Sequence, residues 1–271
     1  MVNSTVSSRM LESIAKAEGF KYADTLTGFK WMANKLVDLK KEGYYIGFGY
    51  EEAIGYMIRD LVLDKDGVTA LCYFAQLAAE LHSQGKRVKH LLDDLYDHYD
   101  YYVSSNSYFT CSDPKVIKRV FDGIRFGHRD SSVSYIQLYR KNDGLALKYP
   151  KTIGGFAVSY VQDLTVGVEF NVDELTTRFG DSNNNDGVLE FDGPELTPKF
   201  PISASSQMIT FSTVNGGRMT LRTSGTEPKI KYYLEMGGRL DQSREEVHKD
   251  LEWLVEGIKT DLVDAKGNGL N

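Results

Sequence analysis

Cysteine is nearly missing from this sequence: Cys72 and Cys111 are the only two in 271 residues. Two thiols cannot build the disulfide framework of a small secreted domain, and reduced cysteines in a cytoplasmic protein are the simplest reading. No apolar run approaches the roughly 20 residues of a membrane helix, and residues 1–10 lack the apolar core of a signal peptide. A basic surplus is also missing, with 32 Lys and Arg against 38 Asp and Glu and a net charge of −6. That excludes a chain built to coat nucleic acid, but leaves room for a local site for a small anion. Glycine and proline, 25 and 6, are too few for a collagenous or linker-dominated chain. There is no phosphate loop of the Gly-x-x-x-x-Gly-Lys-Ser/Thr type and no Gly-x-Ser-x-Gly nucleophile elbow. The five histidines, His82, His90, His98, His128 and His248, show no ligand spacing, and His82 and His90 read as solvated. Residues 181–187 have the composition of a calcium loop, but Asp186 stands sixth where such a loop needs glycine, so no metal site is assigned.

What remains is 41% hydrophobic, enough for a core, over a length that suggests two domains at ~150 residues each. Residues 2–6 read as a short β-branched strand, followed by a helix that ends at Gly19 as a left-handed C′ residue. Phe29, Met32, Ala33, Leu36 and Val37 form the stripe of an amphipathic helix, which Gly43 can stop. Residues 44–48 read as a strand. Val68, Leu71, Cys72, Ala75, Ala78 and Ala79 give a second stripe ending near Gly85, and Val88, Leu91, Leu92, Leu95, Tyr96 and Tyr99 a third. Strands separated by crossover helices predict a layered α/β domain with a mostly parallel sheet over residues 1–103.

Four small polar residues, Ser104 to Ser107, read as a linker. Beyond it, residues 108–111 look like a strand, and Asp113-Pro114 an N-cap with proline at N1, opening a helix faced by Val116, Ile117, Val120, Phe121 and Ile124. Residues 156–164 read as a strand and residues 165–205 as a long irregular excursion. Residues 208–214 and 218–223 flank Asn215-Gly216-Gly217 as a hairpin, and residues 229–236 form a third strand. Ser243 and Glu246 make a capping box for a helix faced by Val247, Leu251, Leu254, Val255, Ile258 and Leu262. Residues 104–271 therefore read as an α+β domain, an antiparallel sheet backed by helices.

Four constellations carry chemistry. Residues 222–231, Arg-Thr-Ser-Gly-Thr-Glu-Pro-Lys-Ile-Lys, join two strands. Arg222 offers a planar fork for two phosphate oxygens, Ser224 and Thr226 offer hydroxyls, and Gly225 at φ > 0 would let successive amides converge on an anion. Lys229 and Lys231 share one strand face. A plain tight turn with surface cations is the alternative. Residues 47–56 follow a strand and carry Glu51 and Glu52, placed where ligands bind open α/β sheets and suited to sugar hydroxyls or a cation; a solvated acidic loop is the alternative. Lys65, in Asp64-Lys65-Asp66-Gly67, is a positioned cation or proton donor, with Asp66 as an N-cap. Thr27-Gly28-Phe29-Lys30 opens a helix whose amides suit an anion, with Thr27 as a plain N-cap on the other reading.

In this order, these four motifs resemble the third- and fourth-domain loops of the α-D-phosphohexomutases, within them the phosphoglucomutase/phosphopentomutase branch. Residues 4–8, 61–67 and 205–211 add to the resemblance. It implies that a phosphoryl group moves between O1 and O6 of a hexose phosphate, or O1 and O5 of a pentose phosphate, through a bisphosphate intermediate. A phosphoserine would donate it, magnesium would assist, and the enzyme would be cytoplasmic. Thr27, Gly28, Lys30, Glu51 and Ala53 would hold the sugar, and Lys65 would lie close to the transferring proton. Arg222, Thr223, Ser224, Gly225, Thr226 and Lys231 would hold the phosphate that is not reacting. Many members have Glu-x-Ser where this chain has Glu51 to Ala53, so one hydrogen bond to the sugar is lost and strict hexose readout weakens.

The family's Thr-Ala-Ser-His-Asn-Pro-like and Asp-Gly-Asp-x-Asp-Arg-like segments do not occur in these 271 residues. The resemblance thus implies domains III and IV only, with domains I and II as missing partners, no metal bound by this chain, and no turnover by it alone. A non-catalytic phosphosugar-binding or scaffold module, and half of a glucose bisphosphate synthase, are the alternatives.

Overall fold

The chain divides into two units, Met1–Tyr102 with Gly237–Gln242, and Val103–Met236 with Ser243–Asn271. The computed structural model describes residues 1–127, 130, 132–140, 146–173, 188–191, 198–238 and 242–270. Among them, no helix is long and apolar enough to cross a membrane.

In the first unit, β1 (Val2–Ser4), β2 (Ala23–Thr25), β3 (Phe48–Glu51) and β4 (Gly55–Ile58) form a sheet in the order β2-β1-β3-β4. β1 is parallel to β2 and β3, and β4 closes antiparallel on β3. α1 (Met10–Glu18) crosses from β1 to β2 and ends at Gly19, φ 73°, whose N–H reaches the Ala15 carbonyl at 2.9 Å. α2 (Phe29–Lys41) follows β2 and buries Phe29, Met32, Leu36 and Leu39 with Val2, Ile46 and Met57. Each such side chain contributes roughly 1.5–3 kcal/mol. Ala33 and Val37 are only half-buried. The strand expected over residues 44–48 is displaced: pairing starts at Phe48 and runs to Glu51. β1 and β4 offer partners only to residues 48–51. Glu51 is therefore a strand residue, facing Gly55 across a tight turn.

α3 (Gly67–Ser83) and α4 (Val88–Tyr99) complete this unit. Asp66 caps α3, accepting from the N–H groups of Val68 at 3.0 Å and Thr69 at 3.1 Å. None of the stripe residues Val68, Leu71, Cys72, Ala75, Ala78 and Ala79 is buried on α3; the helix buries Leu81, outside that stripe. Val68 is 76% exposed, Leu71 67% and Phe74 54%.

The second unit is built on a seven-stranded sheet. Along it lie β5 (Tyr102–Thr110), β13 (Lys229–Gly237), β12 (Gly217–Thr223), β11 (Met208–Thr213), β8 (Phe156–Asp163) and β7 (Thr152–Ile153), with β9 (Val168–Asn171) paired to β8. β10 (Val188–Phe191) pairs antiparallel with β6 (Leu147–Pro150). α5 (Pro114–Phe126), α6 (Tyr135–Arg140) and α7 (Arg244–Gly257) are its helices, and a π-helical turn, Ile258–Leu262, continues α7. The Asp113 cap and the Ser243/Glu246 capping box form as expected. α5 buries Val120, Phe121 and Ile124 but leaves Val116 and Ile117 half-buried. On α7, the expected face is buried except for half-buried Val255. Gly257 meets the β7–β8 turn, where an added Cβ would stand 2.3 Å from the Gly154 nitrogen.

Residues 104–107 form no linker; they lie inside β5, where backbone pairing to β13 on the sheet's edge tolerates small polar side chains. The stretch 165–205 is not irregular throughout, since it contributes β9 and β10. The calcium-like residues 181–187 and His128 lie outside the described residues.

Candidate functional site

In the first unit, three separated stretches meet at the carboxyl end of the parallel strands, where open α/β sheets bind ligands. Glu51 ends β3 and is buried, 9% exposed. Its Oε2 accepts the Gly28 N–H at 3.3 Å. Gly28 caps α2 at φ 111° and no side chain caps that helix, so Thr27 is not the N-cap. A carboxylate at a helix start is favoured by the orphan amides and dipole there. On its other side, Glu51 Oε1 lies 3.8 Å from Lys65 Nζ, which also stands 4.9 Å from the Phe29 ring centroid. The Lys65 stem reaches this position across Gly55, where an added Cβ would stand 2.7 Å from both Lys65 Cδ and Phe29 Cε2.

Glu52 serves a different purpose. Its Oε2 accepts from Ser4 Oγ at 3.0 Å and Ser7 Oγ at 3.4 Å, and its N–H donates to Ser7 Oγ at 3.0 Å. The two adjacent carboxylates are thus divided: one ties the turn to β1, the other faces the cation. The described contacts unite Gly28, Glu51 and Lys65, and do not include Thr27, Lys30 or Ala53. Lys30 is exposed on the first turn of α2, and Ala53 is exposed at the β3–β4 tip.

In the second unit, Arg222, Thr223, Ser224, Gly225, Thr226 and Lys231 sit together at the β12–β13 hairpin, where Arg222 pairs with Lys231 across the ladder. The Ser224 N–H donates to the Lys229 carbonyl at 3.0 Å, and Ser224 Oγ accepts the Glu227 N–H at 3.3 Å. The N–H groups of Gly225 and Thr226 have no acceptor among the described residues. Gly225 does not take the positive φ expected of it, and a Cβ there would meet nothing within 4 Å. The hairpin closes through Ser224 and Lys229 without left-handed backbone at Gly225, so this glycine's contribution is open space beside the amides.

Arg222 lies over the Tyr233 ring, 5.4 Å from its centroid, and donates through Nη2 to the Tyr233 hydroxyl at 2.9 Å. The two lysines are not bare cations. Glu227 pairs with Lys229 at 3.0 Å and Lys231 at 3.3 Å. The hydrogen bond from Lys229 holds the Glu227 carboxyl below the usual carboxylate range, and the same bond pushes the Lys229 ammonium up. Lys229 and Lys231 share one face of β13, as strand parity predicts, and Glu227 in the preceding turn reaches both. Arg125 and Asp163, a fully buried ion pair reaching toward this hairpin, carried no sequence signal: a basic residue in the last turn of an amphipathic helix reads as solvated.

No group of three or more His, Cys, Asp or Glu side chains able to hold a metal occurs among the described residues. Glu51 and Glu52, the two carboxylates of the acidic loop, are engaged by Gly28, Lys65, Ser4 and Ser7.

The model of the phosphoglucomutase/phosphomannomutase family's alpha/beta/alpha domain III matches residues 1–99. A human phosphopentomutase is 40% identical over 260 residues, covering 96% of this chain and 36% of its own length. A human glucose 1,6-bisphosphate synthase is 36% identical over 271 residues, covering 100% of this chain and 38% of its own. A phosphoribomutase of Saccharomyces cerevisiae is 36% identical over 269 residues, covering 94% and 37%. This chain thus spans little more than a third of the length of these relatives.

Proposed function

Because this chain belongs to the α-D-phosphohexomutase family of phosphoglucomutases and phosphomannomutases, we propose that it is the substrate-holding part, domains III and IV, of a phosphoglucomutase/phosphopentomutase. The whole enzyme would move a phosphoryl group between O1 and O6, or O1 and O5, of a sugar phosphate through a bisphosphate. In domain III, taken as residues 1–103, Glu51 would accept hydrogen bonds from sugar hydroxyls, with Thr27, Gly28, Lys30 and Ala53 lining the same end of the sheet. Lys65 would hold positive charge and a proton beside the reacting oxygen. In domain IV, taken as residues 104–271, Arg222 would turn from Tyr233 to a phosphate dianion, joined by the hydroxyls of Thr223, Ser224 and Thr226, the amides of Gly225 and Thr226, and Lys231.

The observation that carries this reading is the hairpin tip, where two amides without acceptors stand beside Arg222 and three hydroxyls. Titration with glucose 1-phosphate and ribose 1-phosphate tests it. Arg222→Ala should weaken binding about tenfold or more, the loss of a charge-assisted bond. Unchanged affinity removes the assignment.

The phosphoserine, and the magnesium that would stabilise charge on the transferring group, belong on this reading to domains I and II. The chain alone would bind sugar phosphate weakly in the cytoplasm and catalyse nothing; turnover by the pure chain refutes this. The exposed apolar face of α3 supports the partner assignment, since contiguous apolar surface marks an interaction site and a domain numbered III leaves two others to cover it. A glucose bisphosphate synthase is the second reading, favoured by the 36% identity to the human enzyme. Formation of glucose bisphosphate from glucose 1-phosphate and a glycolytic bisphosphate, by the assembled enzyme, would select it.

A further inference from the structure

We propose that Gln207 is a positioning residue for the phosphate hairpin, holding Thr223 with its backbone while the buried Arg125 holds its side chain. This rests on the reading that residues 222–226 bind phosphate. Gln207 immediately precedes β11, where Met208 pairs with Arg222, so it extends the ladder by one step against Thr223. The Thr223 N–H donates to the Gln207 carbonyl at 3.1 Å, and the Gln207 N–H donates to Thr223 Oγ1 at 3.3 Å. A hydroxyl that accepts this bond keeps its own proton for another oxygen, the polarity a phosphate needs.

The side chain of Gln207 is fixed from behind. Its Oε1 accepts from Arg125 Nη2 at 2.9 Å. Arg125 and Asp163 are both 0% exposed, joined through Arg125 Nε and through Nη2 at 3.3 Å. Asp163 also accepts from the Tyr149 hydroxyl at 3.0 Å, the Thr165 N–H at 2.9 Å and the Val166 N–H at 3.3 Å. Asp163 keeps the guanidinium charged despite burial, and burial with the Asp163 charge pushes the Tyr149 phenol far up, so it stays a donor.

A buried ion pair is weak evidence for stability, because an apolar side chain could fill the same volume at little cost. Arg125 Nη1 even lacks an acceptor among the described residues. What this pair supplies instead is one fixed direction for a donor. That donor points at Gln207, and Gln207 meets the first residues of the hairpin from both backbone groups. Thr223, where the chain enters the tip that carries the Gly225 and Thr226 amides, is then fixed before an anion arrives, which lowers the ordering cost of binding.

The test is amide NMR titration of the 271-residue chain with inorganic phosphate and glucose 1-phosphate, alongside thermal melting. The wild-type resonances of Thr223 to Thr226 should shift. Gln207→Leu keeps the volume and backbone but removes the acceptor, and should weaken phosphate binding roughly five- to tenfold while lowering the melting midpoint by only a few degrees, since one buried Arg125 hydrogen loses its partner. Gln207→Glu restores an acceptor for Arg125 and should return the Thr223 to Thr226 resonances of the free chain to their wild-type positions, whatever its added charge does to anion affinity. If Gln207→Leu does not fold, Gln207→Asn, one methylene too short to reach Arg125, should show the same loss. Wild-type affinity in the loss variant, or resonances that stay displaced with glutamate, overturns the positioning role alone. A wild-type chain whose Thr223 to Thr226 resonances ignore phosphate overturns the phosphate reading itself, and this role with it.

Discussion

The two candidate sites are built in opposite ways. In the first unit, Gly28, Glu51 and Lys65 come from separate elements, and each is held by something distant: a helix start, a strand end, a glycine gap over Phe29. In the second, Arg222 to Lys231 is one hairpin whose charges answer each other within a few residues. The Glu51 side chain is 11% exposed, whereas the Glu227 side chain is 44% exposed. A buried carboxylate facing a cation is a fixed electrostatic feature; a half-exposed one beside two lysines is a removable counter-charge, screened by water. The first site should therefore break when its frame is disturbed, and the second should respond to local charge.

The largest expected effect is Gly55→Ala. Its new methyl meets the Lys65 stem and the Phe29 ring, and should cost about 1–3 kcal/mol in urea denaturation. An unchanged midpoint would mean the frame yields, and the contrast between the sites would fade. Asp66→Ala comes next. Loss of the α3 cap should lower the melting midpoint by about 2–5 °C at neutral pH. Hydrogen bonds from Thr69 hold the Asp66 carboxyl below its usual range. Its stabilising effect is thus complete above the unfolded value near pH ~4 and is lost as pH falls through the lower native value. The gap between wild type and variant should close in that acidic window; a gap independent of pH would mean the carboxylate is not the cap. The smallest effect is Glu227→Gln, which frees Lys229 and Lys231 and should tighten inorganic phosphate binding roughly two- to fivefold at low salt. No tightening would show that the local charge balance does not matter there.

Local rules were legible from residues alone. Gly19, Asp66, Asp113 and the Ser243/Glu246 box all end or start helices as their chemistry dictates. The hairpin around Asn215-Gly216-Gly217 was equally clear. Tertiary facts were not. Ser104 to Ser107 look like a linker until β13 supplies a partner. Thr27 looks like an N-cap until Glu51 arrives from β3 to meet the Gly28 amide. Gly225 suggested a left-handed turn that the hairpin does not need. The ion pair of Arg125 and Asp163 joins a helix to a strand far along the chain, and no local pattern announces such a pairing.

One consequence follows from where the two thiols lie. Cys72 is exposed on α3, amid the uncovered Leu71 and Phe74. Cys111 is buried, and desolvation pushes its thiol up. A maleimide dye would thus tag one turn of α3 and spare the other cysteine. The speed of that labelling is a built-in gauge of how much of the helix any companion polypeptide shields.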